Sequence, residues 1–100
     1  MNLSQALSYI ENNLHKKAFR ETKHFKTQSE KRGLEINFIF ERKEVVGIAQ
    51  QDQNLYKVWF AYTQSKDLIV IVRISVNEIL QLITLFPCDI NLRIRKNAKS

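Results

Sequence analysis

The sequence predicts an α+β domain of two layers, with two N-terminal helices and a short third packed on a four-stranded antiparallel β-meander. Three observations lead there. Apolar residues recur at helical spacing near the N-terminus and change to strand-like runs from residue 45 onward. The connections between those later runs, "DQN", "QSKD" and "SVNE", are short and polar, which requires hairpins because a parallel crossover needs a dozen or more residues. The run "LIVIV" is apolar on both faces, as expected of a central strand covered on both sides. Helices followed by strands, rather than alternating with them, give an α+β layer arrangement.

Taken in order, Leu3, Ala6, Leu7, Ile10 and Leu14 share one helical face opposite Gln5, Ser8, Glu11 and Asn12, which predicts a helix over residues 3–14. The stretch "HKKAFRETKHFKTQSEKRG" has no breaker before Gly33, and Ala18, Phe19 and Phe25 make a narrow stripe. A second, surface helix ending at Gly33 follows, because glycine takes the left-handed conformation that closes a helix. Lys31 and Arg32 in its last turn suit the negative end of the helix dipole. In "LEINFIFERKEVV", Ile36, Ile39 and Phe40 fit a helix and Ile36, Phe38 and Phe40 fit a strand; a short helix over 35–42 is the preferred reading. Four strands come next, in "VVGIAQQ", "LYKVWFAYT", "LIVIVRIS" and "EILQLITLF", each rich in β-branched or aromatic residues. The chain reads as one domain over 1–100: an added amphipathic helix at 1–14, a core at 15–88 and a basic tail at 89–100.

The formal charge is +6, and it is concentrated. Lys16, Lys17, Arg20, Lys23, Lys26, Lys31 and Arg32 stand against Glu21 and Glu30 in residues 15–32; Arg93, Arg95, Lys96 and Lys99 stand against Asp89 near the C-terminus. Such segments favour an anionic partner such as RNA, or serve solubility alone. One cysteine, Cys88, and two histidines exclude an internal disulfide and argue against a zinc site. The first residues lack the basic and continuous apolar regions of a signal peptide, and "LIVIV" is far too short to cross a bilayer. A cytoplasmic protein away from membranes is expected.

Gly-rich phosphate loops, Cys pairs, a Gly-x-Ser-x-Gly elbow and a His-Glu-x-x-His motif are absent from the sequence. No cofactor or metal is therefore expected. A metal-independent ribonuclease is the enzyme class that the residue supply permits, because RNA carries its own nucleophile and needs only a base, an acid and cations. On the helical reading, Arg20, His24 and Gln28 lie at i, i+4 and i+8, with Lys17 and Lys31 seven residues to either side of His24. That face, with Lys23 and Arg32, is either a phosphate track with a titratable imidazole at its middle or an ordinary solvated surface. Arg73 interrupts the central apolar run and must reach water, a carboxylate such as Glu78, or a phosphate. Tyr56, Val58, Phe60 and Tyr62 share one strand face, with Lys57, Trp59 and Ala61 on the other. Val58 and Phe60 read as core, and Tyr56, Trp59 and Tyr62 as either core or stacking groups for unpaired bases.

His24, seven intervening residues and Arg32-Gly33-Leu34 resemble the His-x7-Arg-Gly-Ile/Leu signature of a small prokaryotic domain family of unknown function, and "ITLFP" at 83–87 resembles its last strand. That family is grouped with the RelE/barnase-like ribonuclease toxins. The resemblance spans about residues 20–88 and implies a helix pair on a four-stranded antiparallel sheet, RNA cleavage and a small acidic antitoxin as partner. "LEINF" departs from it, being apolar where the family carries an Asp/Glu pair.

The expectation is a toxin-like endoribonuclease with His24 as general base or acid, Arg73 and Arg32 on the phosphate and Tyr56 orienting or protonating. Arg20, Lys17, Lys23, Gln28, Lys31, Arg32, Arg93 and Arg95 would bind the nucleic acid. The first helix could also join two copies as a homodimer. The alternative is a non-catalytic RNA-binding or protein-interaction domain of the same fold.

Overall fold

The computed structural model describes residues 2–75, 77 and 79–92. The chain runs α1 (Leu3–His15), β1 (Phe19–Glu21), α2 (Lys23–Lys31), α3 (Ile36–Arg42), β2 (Val45–Asp52), β3 (Leu55–Ala61), β4 (Lys66–Ile74), β5 (Leu80–Asp89) and a 3-10 turn, Ile90–Leu92. The sheet has five strands in the order β1-β5-β4-β3-β2. The α+β class stands, with the short third helix present at α3. The sheet differs from the expected antiparallel four: β1 adds a fifth strand and pairs parallel with β5, Phe19 opposite Leu80 and Glu21 opposite Leu82.

That extra strand explains the main departure, at residues 15–22. α1 stops at Lys16 because Lys17 turns into the left-handed region at φ 60°. Lys17 N–H donates to the Leu14 carbonyl at 3.2 Å and Ala18 N–H to the Asn13 carbonyl at 2.8 Å, the paired bonds of a Schellman closure. The same closure ends α2, where Gly33 (φ 64°) donates to Glu30 at 3.1 Å and Leu34 to Ser29 at 2.9 Å. One closure uses the expected glycine and the other a lysine, so the first helix end carries no glycine signal.

α1 opens with a capping box: Asn2 Oδ1 accepts from Gln5 N–H at 2.8 Å, and Gln5 Oε1 accepts from Asn2 N–H at 2.9 Å. Its apolar stripe, Ala6, Ile10 and Leu14, is fully engaged in the main core with Phe25 of α2, Ile39 and Phe40 of α3 and the inner faces of β2–β5. α1 thus packs directly into the core, with Leu3, Leu7 and Tyr9 partly buried beside that stripe.

β4 is central and alternates between two clusters. Leu68, Val70 and Val72 face the helices, while Ile69 and Ile71 join Trp59 on the opposite face. β5 is bulged: Ile71 pairs with Thr84 and Val72 with Leu82, leaving Ile83 without a partner on β4. Pro87 is tolerated in β5 because β1 pairs only with Leu80–Leu82, so β5 is an edge at its far end.

Candidate nucleic-acid interface

α2 is held against the sheet at one end by Thr22. Its hydroxyl accepts from Phe25 N–H at 3.1 Å as an N-cap and donates to the Ile83 carbonyl at 3.0 Å, the bulged residue of β5. Phe25, fully buried, and Ser29 point inward from the helix. At 3.6 residues per turn, His24, Gln28 and Lys31 fall within about 60° of arc on an adjoining face, so they line one side of the helix.

At the C-terminal end of that face lies a cleft of about 480 Å³ lined by Gln28, Lys31, Arg32 and Leu34, with Tyr62, Leu68 and Pro87 across it. α2 ends here because Gly33 reverses the chain, which brings Arg32 and Leu34 over the end of β3. Tyr62 stands one residue past β3 and is half-buried, its backbone N–H bonded to the Lys66 carbonyl at 3.3 Å. Tyr62 also lines a second cleft of about 380 Å³ with Gly33, Glu35, Phe38, Ile39 and Lys43. Phe38 is 51% exposed, a large apolar group left facing solvent.

The cations divide into engaged and free. Lys17 binds Glu41 at 3.0 Å and Lys66 binds Asp89 at 2.6 Å. Lys31, Arg32 and Lys43 make no ion pair among the described residues. Three free cations and two accessible aromatic rings therefore border adjoining clefts. That arrangement can hold an anion and a flat apolar group side by side.

The expected site residues separate into groups. Gln28, Lys31 and Arg32 come together in the first cleft, and His24 lies about one turn before Gln28 on the same helix face. Lys23, exposed, begins the helix. Arg20 is not on this helix at all: it lies on β1, where Phe19 packs into the helix-side core and the exposed Arg20 alternates to the other face. Lys17 closes α1 and is taken up by Glu41. The run Arg20, His24, Gln28 is therefore not one helical face, because the helix begins only at Lys23.

The three residues expected to be catalytic, His24, Arg73 and Tyr56, do not share a cleft. Tyr56 is 2% exposed, within the core beneath the helices. Arg73 is exposed on the face of β4 that carries Ile69 and Ile71. His24 is on the helix layer, on the other side of the sheet from Arg73. Arg93 and Arg95 lie outside the described residues, as does Glu78, the suggested partner of Arg73. Trp59 is buried in the second cluster with Lys57 5.4 Å from its ring centroid, so its ring offers no open face for stacking.

Sequence reasoning missed Phe38 and Lys43 and left Tyr62 undecided between core and stacking. The available signal for Tyr62 was its place at a strand end beside a polar hairpin; for Phe38 it was an apolar residue that the helical stripe of Ile36, Ile39 and Phe40 does not need. Among the described residues, no group of three or more His, Cys, Asp and Glu side chains is placed to hold a metal ion. No helix among them is long and apolar enough to cross a membrane. Comparison with protein families, curated proteins and solved structures finds no match to this chain.

Proposed function

We propose that the protein binds single-stranded RNA without cutting it, holding the strand in the cleft between the end of α2 and Tyr62. The observation that carries this reading is the pair Lys31 and Arg32, free of ion pairs among the described residues, on a cleft that Tyr62 also lines. Cations attract the phosphodiester, a phenol ring offers a π-face to an unpaired base, and the Gln28 amide can bond a base edge or a 2′-hydroxyl. Cleavage would require a base, an acid and a cation around one phosphate. His24, Tyr56 and Arg73 stand apart, so the reading leaves out the catalysis that the family resemblance implies.

Fluorescence anisotropy of a labelled oligouridylate, measured between about 50 and 200 mM salt, tests the reading. Two phosphates neutralised by Lys31 and Arg32 give a slope of log affinity against log salt of at least about −1.4, or roughly a sevenfold loss over that range. The Lys31→Gln/Arg32→Gln variant should flatten the slope by about 1.4. A native slope near zero, or an unchanged slope in the variant, defeats the reading. The RNA should remain intact after incubation with or without EDTA; EDTA-resistant cutting would restore the ribonuclease.

A further inference from the structure

Tyr62 belongs to both clefts, so the molecule presents one groove in two parts with an aromatic ridge between them. We infer that the groove takes two consecutive nucleotides of a single strand, one base in the α2 cleft against Tyr62 and the next against Phe38 in the α3 cleft. The inference rests on the RNA-binding reading above and extends it to a second subsite and a minimum ligand.

Four observations carry it. The clefts, about 480 and 380 Å³, both fall within the range of small-ligand sites, so each has room for a base. Phe38 is 51% exposed although its neighbours Ile39 and Phe40 are buried, so α3 turns one aromatic ring outward into the second cleft. That ring does no work in the core, and base stacking on exposed aromatics is a main source of affinity in single-strand binders. Third, Lys43 lines the second cleft outside any ion pair among the described residues, as Lys31 and Arg32 do in the first. Fourth, the second cleft also holds Glu35, which leaves it close to neutral. A base with one phosphate suits such a cleft better than a run of phosphates, so the strand's charge is met mainly at Lys31 and Arg32.

The roles of the two clefts follow from the same division. The first cleft is the anchoring half and the second adds stacking, so a mononucleotide should occupy the first and gain nothing from the second.

Titration of the whole chain with uridine 5′-monophosphate and with hexauridylate tests the inference, with folding checked by circular dichroism. Hexauridylate should bind at least about tenfold more tightly than the mononucleotide, and Phe38→Ala should remove about tenfold of hexauridylate affinity, the effect of one lost stack. Lys43→Gln should lower the magnitude of the salt slope by about 0.7. Gln53→Ala, in the turn at the opposite end of β3 from Tyr62, should change neither ligand's binding. If Arg32→Gln weakens hexauridylate while Phe38→Ala and Lys43→Gln stay within twofold of native, the strand stops at Tyr62 and the two-part groove is overturned with RNA binding intact. If hexauridylate fails to bind even at low salt, both readings fall; binding of an acidic, aromatic peptide in its place would assign the groove to protein recognition.

Discussion

Thr22 joins α2 to the sheet, and replacing it with valine removes its hydroxyl at nearly constant shape. Two part-buried groups then lose their partner: the Phe25 N–H, now 3.1 Å from the hydroxyl, and the Ile83 carbonyl, now 3.0 Å from it. Loss of an N-cap costs about 1 kcal/mol, and loss of the bond to the bulged carbonyl costs about 1 kcal/mol more. The backbone bond from Thr22 N–H to the Leu82 carbonyl, 3.0 Å, is unchanged by the substitution, so β1 should stay paired. Thr22→Val should therefore destabilise by about 2 kcal/mol, whereas Thr22→Ser, which keeps both bonds and loses only a methyl, should cost well under half as much. With a urea dependence of about 2 kcal/mol per molar for a domain of this size, the valine variant's midpoint should fall by about 1 M. Equilibrium urea unfolding followed by circular dichroism reads both. A valine variant within about 0.5 kcal/mol of native, or a serine variant as unstable as the valine one, would show that the hydroxyl does not hold the helix to the bulge and would refute the reasoning.

Further outcomes follow from the two Schellman closures and the ion pair. Lys17→Gly should stabilise by about 1 kcal/mol, because a non-glycine residue at φ 60° carries a left-handed penalty and the exposed pair with Glu41 returns little of it; thermal unfolding gives the sign. Gly33→Ala should destabilise by about 1 kcal/mol, since a Cβ there meets nothing within 4 Å and only the backbone conformation is strained; a loss much above 2 kcal/mol would mean a contact is at stake. The hydrogen bond from Lys17 and its charge hold the Glu41 carboxyl below the usual carboxylate range. The pair's contribution is therefore present above the unfolded glutamate's value and is lost as pH falls through the lowered folded value. Carboxyl NMR titration should find Glu41 ionised below the usual glutamate range, and Lys17→Ala should move it back toward that range.

Much of the architecture was legible because it rests on local pattern. The periodicity of Leu3, Ala6, Leu7, Ile10 and Leu14 marked α1, and the doubly apolar run 68–72 marked the central strand. Polar turns too short for crossovers fixed the antiparallel meander of β2–β5. Gly33 marked the end of α2 because glycine is the usual residue there. The region 15–22 was not legible, because Lys17 closes α1 without glycine and "FRE" is too short to show strand alternation. Its pairing with β5, some sixty residues away, is a long-range contact that no local pattern contains.

The groove divides the same way. Lys31 and Arg32 stood out as cations next to a helix stop, and Gln28 followed from helical spacing. Tyr62, Phe38 and Lys43 are far apart in sequence from that helix end or turned from it by Gly33, so their convergence depends on the packing of α2 and α3 over the end of β3. Local sequence determined which segments are helices and strands and where most of the charge lies, because those depend on neighbours within a few residues. Only the tertiary structure decided which cations are already engaged by Glu41 and Asp89 and which, among the described residues, stay outside ion pairs beside an aromatic ring, because that depends on contacts made across the fold.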